Sequence, residues 1–115
     1  MRSLLAACLE QRGYAVDEVA DGTALLDAFE ALRTGAASRT PSVVVTDIQM
    51  PGVNGLGAVA KLRQWNDVLA VIVITAFGDA RVHRRASELG VARVLDKPFD
   101  LSDFLAAVDK AAPPA

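Results

Sequence analysis

Ser42-Val-Val-Val-Thr-Asp-Ile-Gln-Met-Pro-Gly-Val-Asn-Gly55 decides the fold of this 115-residue chain. Val43, Val44 and Val45 are three β-branched residues in a row. An apolar run this short reads as a strand buried on both faces, the kind found in parallel sheets. It stops at Asp47, and Pro51, Gly52 and Gly55 then impose a tight loop. A carboxylate at the carboxyl end of a buried parallel strand sits where open α/β sheets place their chemistry. The plainer reading is that Asp47 only caps the loop by bonding nearby amides.

Working outward, the same pattern recurs. Leu69 to Ile74 is a second continuous apolar strand, ending at Thr75-Ala76-Phe77-Gly78. Ala92 to Leu95 reads as a third apolar strand, followed by Asp96-Lys97-Pro98-Phe99. Tyr14 to Val19 reads as a short strand with polar interruptions at Asp17 and Glu18, as expected near a sheet edge. Helices are predicted between them. Residues 1–12 place Leu4, Leu5, Cys8 and Leu9 on one face, with Gly13 as a stop. Asp21 caps a helix that carries Leu25, Leu26, Phe29 and Leu32 to about Arg33. A helix from Gly55 to Trp65 buries Leu56, Val59, Ala60 and Leu62, with Trp65 packing at its end. Asp79 to Leu89 has a narrow stripe of Val82, Ala86 and Leu89 against Arg81, Arg84, Arg85 and Glu88. On that helix His83, the one histidine, is assigned to a solvated face. Asp100 or Ser102 caps a last helix carrying Leu101, Phe104, Leu105 and Val108, which Pro113 and Pro114 close off. The polar loop Thr34 to Pro41 is longer than the usual connection of about 2–6 residues and is expected to be variable. Alternating strands and helices predict a parallel sheet, right-handed crossovers and helices on both faces.

Bulk properties agree with one domain and exclude several function classes. With 52% hydrophobic but only 5% aromatic residues, the core must be Val, Leu, Ile and Ala. Acidic residues outnumber basic ones, 14 to 12, so no basic face argues for nucleic acid. The single cysteine, Cys8, excludes an internal disulfide and a cysteine-rich zinc site, and reads as a small core residue. The apolar run Val68 to Phe77 is far short of the roughly 20 residues that span a bilayer. Glu10, Gln11 and Arg12 interrupt the amino-terminal apolar region too early for a signal peptide. The chain therefore reads as soluble and cytoplasmic.

In a parallel sheet all carboxyl ends lie on one edge. Asp47, Thr75 and Lys97, far apart in sequence, should thus form one pocket holding a carboxylate, a hydroxyl and an ammonium. A carboxylate can act as nucleophile in phosphoryl transfer, and an anionic transferring group needs charge neutralisation.

Asp47-Ile-Gln-Met-Pro-Gly-Val-Asn-Gly55, Ile74-Thr-Ala-Phe-Gly-Asp79 and Asp96-Lys-Pro-Phe99 resemble the phosphoacceptor, switch and lysine loops of two-component response-regulator receiver domains. The resemblance covers essentially the whole chain in the right order. It implies a bacterial phosphorelay protein with a flavodoxin-like sheet of order 2-1-3-4-5. It further implies that Asp47 accepts a phosphoryl group from a sensor histidine kinase or phosphotransfer protein, that Thr75 binds a phosphate oxygen and that Lys97 pairs with the phosphate. Such a protein is not an enzyme, but a phosphoacceptor that assists its own phosphoryl transfer and dephosphorylation. Magnesium would be held by Asp47 and the backbone carbonyl of Gln49. Ala76 matches the small residue needed for phosphate access, and the Lys97–Pro98 bond should be cis.

Two departures accompany the resemblance. Receivers begin with a central strand ending in an acidic pair that holds magnesium, and this sequence has neither. It is thus expected to be a single receiver domain over residues 1–115, incomplete at the amino terminus, its start set at an internal methionine. Without that strand the 14–19 segment should slide onto residues 42–46, or another chain should share a strand, giving a homodimer, a strand-shared oligomer or aggregation. Magnesium binding is expected to be weakened or lost. Secondly, Val94 stands where the family often has an aromatic switch residue. The alternative function is a pseudo-receiver, a protein-interaction module that takes no phosphate. A haloacid-dehalogenase-type hydrolase would need a second Asp where Gln49 stands, and no G-x-G-x-x-G supports a dinucleotide enzyme.

Overall fold

The computed structural model describes residues 2–19, 21–37, 40–50, 53–76 and 78–111, with backbone alone for Arg2, Ser3, Met50 and Val53. Met1, Ser38, Arg39, Pro51, Gly52, Phe77, Pro113 and Pro114, which enter the expectations above, lie outside the described residues. Five helices, α1 (Arg2–Gln11), α2 (Gly22–Thr34), α3 (Gly55–Arg63), α4 (Ala80–Glu88) and α5 (Leu101–Ala111), alternate with the strands β1 (Val43–Asp47), β4 (Ala70–Thr75) and β5 (Arg93–Asp96). A two-residue antiparallel pair, β2 (Gln49–Met50) and β3 (Val53–Asn54), sits between β1 and α3. The loop predicted there is thus a small hairpin.

β1, β4 and β5 form one parallel sheet in the order β1-β4-β5, with Asp47 beside Ile74 and Thr75 beside Asp96. The pleat of β4 divides the core. Val71 and Val73 join Leu25, Phe29, Ile48, Ala58, Val59 and Leu62 of the α2–α3 layer. Ile72 and Ile74 join Leu5, Leu9, Leu95, Phe104, Ala107 and Val108 of the α1–α5 layer. Helices on both faces follow from the central strand β4, whose residues from Val71 to Ile74 are apolar and buried on both faces.

Short polar residues set the helix starts. Asp21 accepts from the Ala24 amide at 2.9 Å, Asn54 from Leu56 at 2.8 Å, and Asp79 from Arg81 and Val82 at 3.0 Å each. At α5 the amides of Asp103 and Phe104 bond the Asp100 carbonyl. Gly13, Gly35 and Gly90 follow α1, α2 and α4 with positive φ, where a side chain would be strained.

Several expectations are corrected. Residues 14–19 form no strand, although Tyr14, Val16 and Val19 are half-buried and Ala15, Asp17 and Glu18 exposed, as in a strand. A strand needs a ladder as well as alternation, and β1 pairs only with β4 among the described strands, so the slide onto residues 42–46 does not occur. Leu4 is exposed, because the buried stripe of α1 runs through Leu5, Ala6 and Leu9. Val43–Val45 are half-buried rather than enclosed, since β1 is an edge of the sheet. Trp65 follows α3 in a turn and keeps 36% of its surface exposed, while Cys8 is half-buried.

Candidate phosphoacceptor site

Three strand ends build the site. β1 delivers Asp47, and the chain continues at once into a main-chain bond from Ile48 to Ile74 of β4 at 2.9 Å. The Gly55 amide returns to the Ile48 carbonyl at 2.9 Å, closing the loop over the strand end. That closure is tight: a Cβ on Gly55 would lie 2.3 Å from the Asp47 carbonyl oxygen. β4 ends in Thr75, whose carbonyl accepts from the Lys97 amide at 2.8 Å. The Lys97–Pro98 bond is cis.

Asp47 and Lys97 are 28% and 32% exposed at their side chains, and Lys97 Nζ donates to Asp47 Oδ2 at 2.9 Å. Asp47 Oδ1 is buried and receives no hydrogen bond. The carboxylate is therefore asymmetric, with one oxygen neutralised and the other unsatisfied. Thr75 lies one residue beyond the ladder partner of Asp47 and is fully buried. The structure thus brings Asp47 and Lys97 into contact, and Thr75 into the same strand-end row as an enclosed residue. Ala76 is exposed beside it, Val94 is half-buried on β5, Pro98 is exposed, and Gln49 is exposed opposite Asn54.

The donor set bears on a divalent cation. A carboxylate that is not fully satisfied by donors, such as Asp47, suits one. Among the described residues, however, no three His, Cys, Asp or Glu side chains gather to hold a metal. Magnesium commonly binds through one or two carboxylates and keeps several waters. Asp47 fits such a largely hydrated ion, held more weakly than by a carboxylate cluster.

Two features of the site region left no sequence signal. His83 Nε2 lies 3.1 Å and 3.3 Å from the Asp96 carboxylate oxygens, tying α4 to the end of β5 beside Lys97. The assignment of His83 to a solvated face holds for its exposure but missed this partner. The same carboxylate lies over Gly78, where a Cβ would meet Asp96 Oδ1 at 1.9 Å. At the opposite edge of the sheet, Arg63 donates to the carbonyls of Leu89 and Leu69 at 2.7 Å, Gly90 at 3.2 Å and Asn66 at 3.3 Å. It pins the entries to β4 and β5, and so the spacing of the strands that carry Thr75 and Lys97.

The chain is similar to known proteins in sequence and fold. The family model described as "Response regulator receiver domain" matches residues 1–109. The transcriptional regulatory protein FixJ of Azorhizobium caulinodans is 39% identical over 108 residues, covering 94% of this chain and 48% of FixJ. Sporulation initiation phosphotransferase F of Bacillus subtilis is 28% identical, over 98% of this chain and 86% of its own length. This chain spans about half or less of the transcriptional regulators it matches. Among solved structures, a response-regulator receiver domain from Clostridium thermocellum superposes with TM-score 0.81 at 25% identity, covering 96% of this chain and 83% of that one. The response regulator TrrA of Thermotoga maritima, in complex with magnesium and BeF, superposes with TM-score 0.78 at 25% identity, covering 96% and 88%. With the family model matched over nearly the whole chain, this chain belongs to the response-regulator receiver domains of two-component signalling.

Proposed function

We propose that this receiver accepts a phosphoryl group on Asp47 from a sensor histidine kinase or phosphotransfer protein, and that the modified domain switches a partner interaction. The observation that carries this reading is the asymmetric carboxylate, with Oδ2 held by Lys97 and Oδ1 buried without a donor. Oδ1 keeps its lone pairs for attack. The new Oδ1–phosphorus bond forms as the phosphorus–nitrogen bond to the donor histidine breaks, and that nitrogen keeps the electron pair and takes up a proton. Lys97 then moves its charge from the carboxylate toward the phosphoryl oxygens. Thr75 donates to one of them once its hydroxyl is uncovered, and Ala76 leaves room for the group. Asp47 and the Gln49 carbonyl would hold magnesium, which supplies further charge neutralisation when bound. TrrA, with its magnesium and BeF, supports that reading by similarity. The chain is read as a phosphoacceptor that assists its own transfer and dephosphorylation rather than as an enzyme with a separate substrate. A cytoplasmic setting accords with the described residues, among which no helix is long and apolar enough to cross a membrane.

Incubation with acetyl phosphate and magnesium, read by intact mass, tests the proposal. An adduct of about 80 Da, absent in Asp47→Asn and reduced in Lys97→Ala, is the expected result. A folded chain that gains no mass at any magnesium concentration would overturn it in favour of a pseudo-receiver.

A further inference from the structure

The helix α4 is joined to the sheet by few contacts. Its apolar anchor is narrow: Ala86 is buried, while Val82 and Leu89 are half-buried against the α2–α3 layer. Arg81 pairs with Asp79 of its own cap, and Arg85 with Glu88 one turn on. Among the described residues that leaves His83 as the only side chain of α4 with a polar bond to a strand. A carboxylate only accepts, so the ring donates to Asp96 through Nε2.

Three parts of the molecule meet at Asp96. It lies beside Thr75 in the ladder, and its neighbour Lys97 donates its amide to the Thr75 carbonyl at 2.8 Å. Its carboxylate rests on Gly78 so closely that a Cβ there would lie 1.9 Å from Asp96 Oδ1 and 2.9 Å from Thr75 Cγ2. Lys97 in turn holds Asp47. His83, Asp96, Lys97 and Asp47 thus make a continuous path from α4 to the acid, with Thr75 and Gly78 packed against its middle. The side chains of His83 and Asp96 are 44% and 50% exposed, and a pair so exposed contributes little to fold stability. Its weight lies in what it restrains.

We infer that His83 and Asp96 are a positioning pair for Lys97. They latch α4 to the end of β5 and hold Lys97 on Asp47 while the acid is unmodified, and α4 is released when Lys97 leaves, a role that rests on the phosphoacceptor reading and gives it an output element. On that reading Thr75 uncovers its hydroxyl and Lys97 swings toward the phosphoryl oxygens. Gly78, three residues beyond Thr75, follows it and leaves the Asp96 carboxylate, while the turning of Lys97 re-aims the strand end that presents Asp96 to the ring. Either motion opens the pair. By linkage, what modification does to the pair the pair does to modification, so an intact latch opposes labelling.

The ring spectrum of the full chain reads the latch directly, since His83 is the one histidine. Asp96→Asn, which removes the charge to which the ring donates, marks the position of the released ring. Asp47→Asn, which loosens the grip on Lys97 without any phosphate, should move the ring resonances toward that position. Labelling with acetyl phosphate and magnesium, followed by intact mass, reads the reciprocal effect. His83→Ala should label about two- to fivefold faster than the parent, the scale an exposed pair supplies. His83→Ala combined with Asp96→Asn should label no faster than either alone, because both remove the same contact. A contact that only stabilised the fold would leave the labelling rate and the ring signal of Asp47→Asn unmoved. The inference is overturned if Asp47→Asn keeps the ring at its parental position, if His83→Ala labels at or below the parental rate in a chain that labels, or if the two substitutions add. A parent that takes no label sinks the phosphoacceptor reading instead, and the ring measurement in Asp47→Asn then decides the latch by itself.

Discussion

Replacing Gly55 by alanine, beside the same change at Gly57, measures how closely the loop after Asp47 is folded over the end of β1. Both glycines belong to the first turn of α3, so intrinsic propensity favours both substitutions. At Gly57 a Cβ meets nothing within 4 Å. The expected outcome there is a gain of about 0.4–1 kcal/mol from reduced freedom of the unfolded chain. At Gly55 a Cβ would lie 2.3 Å from the Asp47 carbonyl oxygen, 3.0 Å from Ile48 Cα and 3.1 Å from the Asp47 carbonyl carbon. All three are main-chain atoms, so no rotamer change relieves the contact. Overpacking of this kind costs about 1–3 kcal/mol. The two variants should therefore stand about 1.5–4 kcal/mol apart. At roughly 4 °C per kcal/mol for a domain of this size, their melting points should differ by about 6–16 °C. Circular-dichroism melts, with urea titrations to confirm equal slopes, measure the gap. Because the displaced atoms belong to Asp47, G55A should also label more slowly with acetyl phosphate well below its midpoint, and G57A should label normally. A G55A chain melting at or above the parent would refute the close approach.

Arg63 offers a test of the opposite edge of the sheet. Arg63→Met keeps the apolar stem but leaves the carbonyls of Leu69 and Leu89 without their donor, and should cost on the order of 2–3 kcal/mol in urea unfolding. Arg63→Lys should recover little, since one ammonium cannot span the fork. The Asp79 carboxyl lies below the usual aspartate range, chiefly because it accepts from the Val82 amide, with the Arg81 charge adding to this. A depressed carboxylate stabilises the fold above its unfolded pKa and loses that contribution as pH falls through the folded value. The cap of α4 should thus hold at neutral pH and release only at acid pH. The Val82 amide shift should report this, with an inflection below the ordinary aspartate value in the parent and none in Asp79→Ser. Gly78→Ala should push the Asp96 carboxylate off His83, so its histidine ring resonances should move to those of Asp96→Asn.

What the sequence made legible divides by the kind of force involved. The runs Val43–Val45 and Leu69–Ile74 are apolar at every position, and Ala92–Leu95 is broken only by Arg93, a pattern typical of strands in a parallel sheet. Their polar ends could therefore be placed on one edge from the sequence alone. Tyr14 to Val19 was misread because its alternation also suits an extended segment packed on two clusters. Whether it ladders depends on a neighbouring strand, which local pattern does not encode. Arg63 and the His83–Asp96 pair were invisible for a related reason: carbonyls are everywhere, and a contact across 26 residues leaves no spacing to find. The same limit applied at Asp47. Residue type named the acid and its amine partner, but not the division of the carboxylate into one bonded and one orphaned oxygen. A buried acceptor left without a donor costs about 1–3 kcal/mol, a sizeable share of a small domain's stability. A serine or amide reaching Oδ1 would recover it. It would also tie up the lone pairs that the proposed phosphoryl transfer uses, so on that proposal the unmade bond is intelligible as the stability cost of keeping Oδ1 a nucleophile.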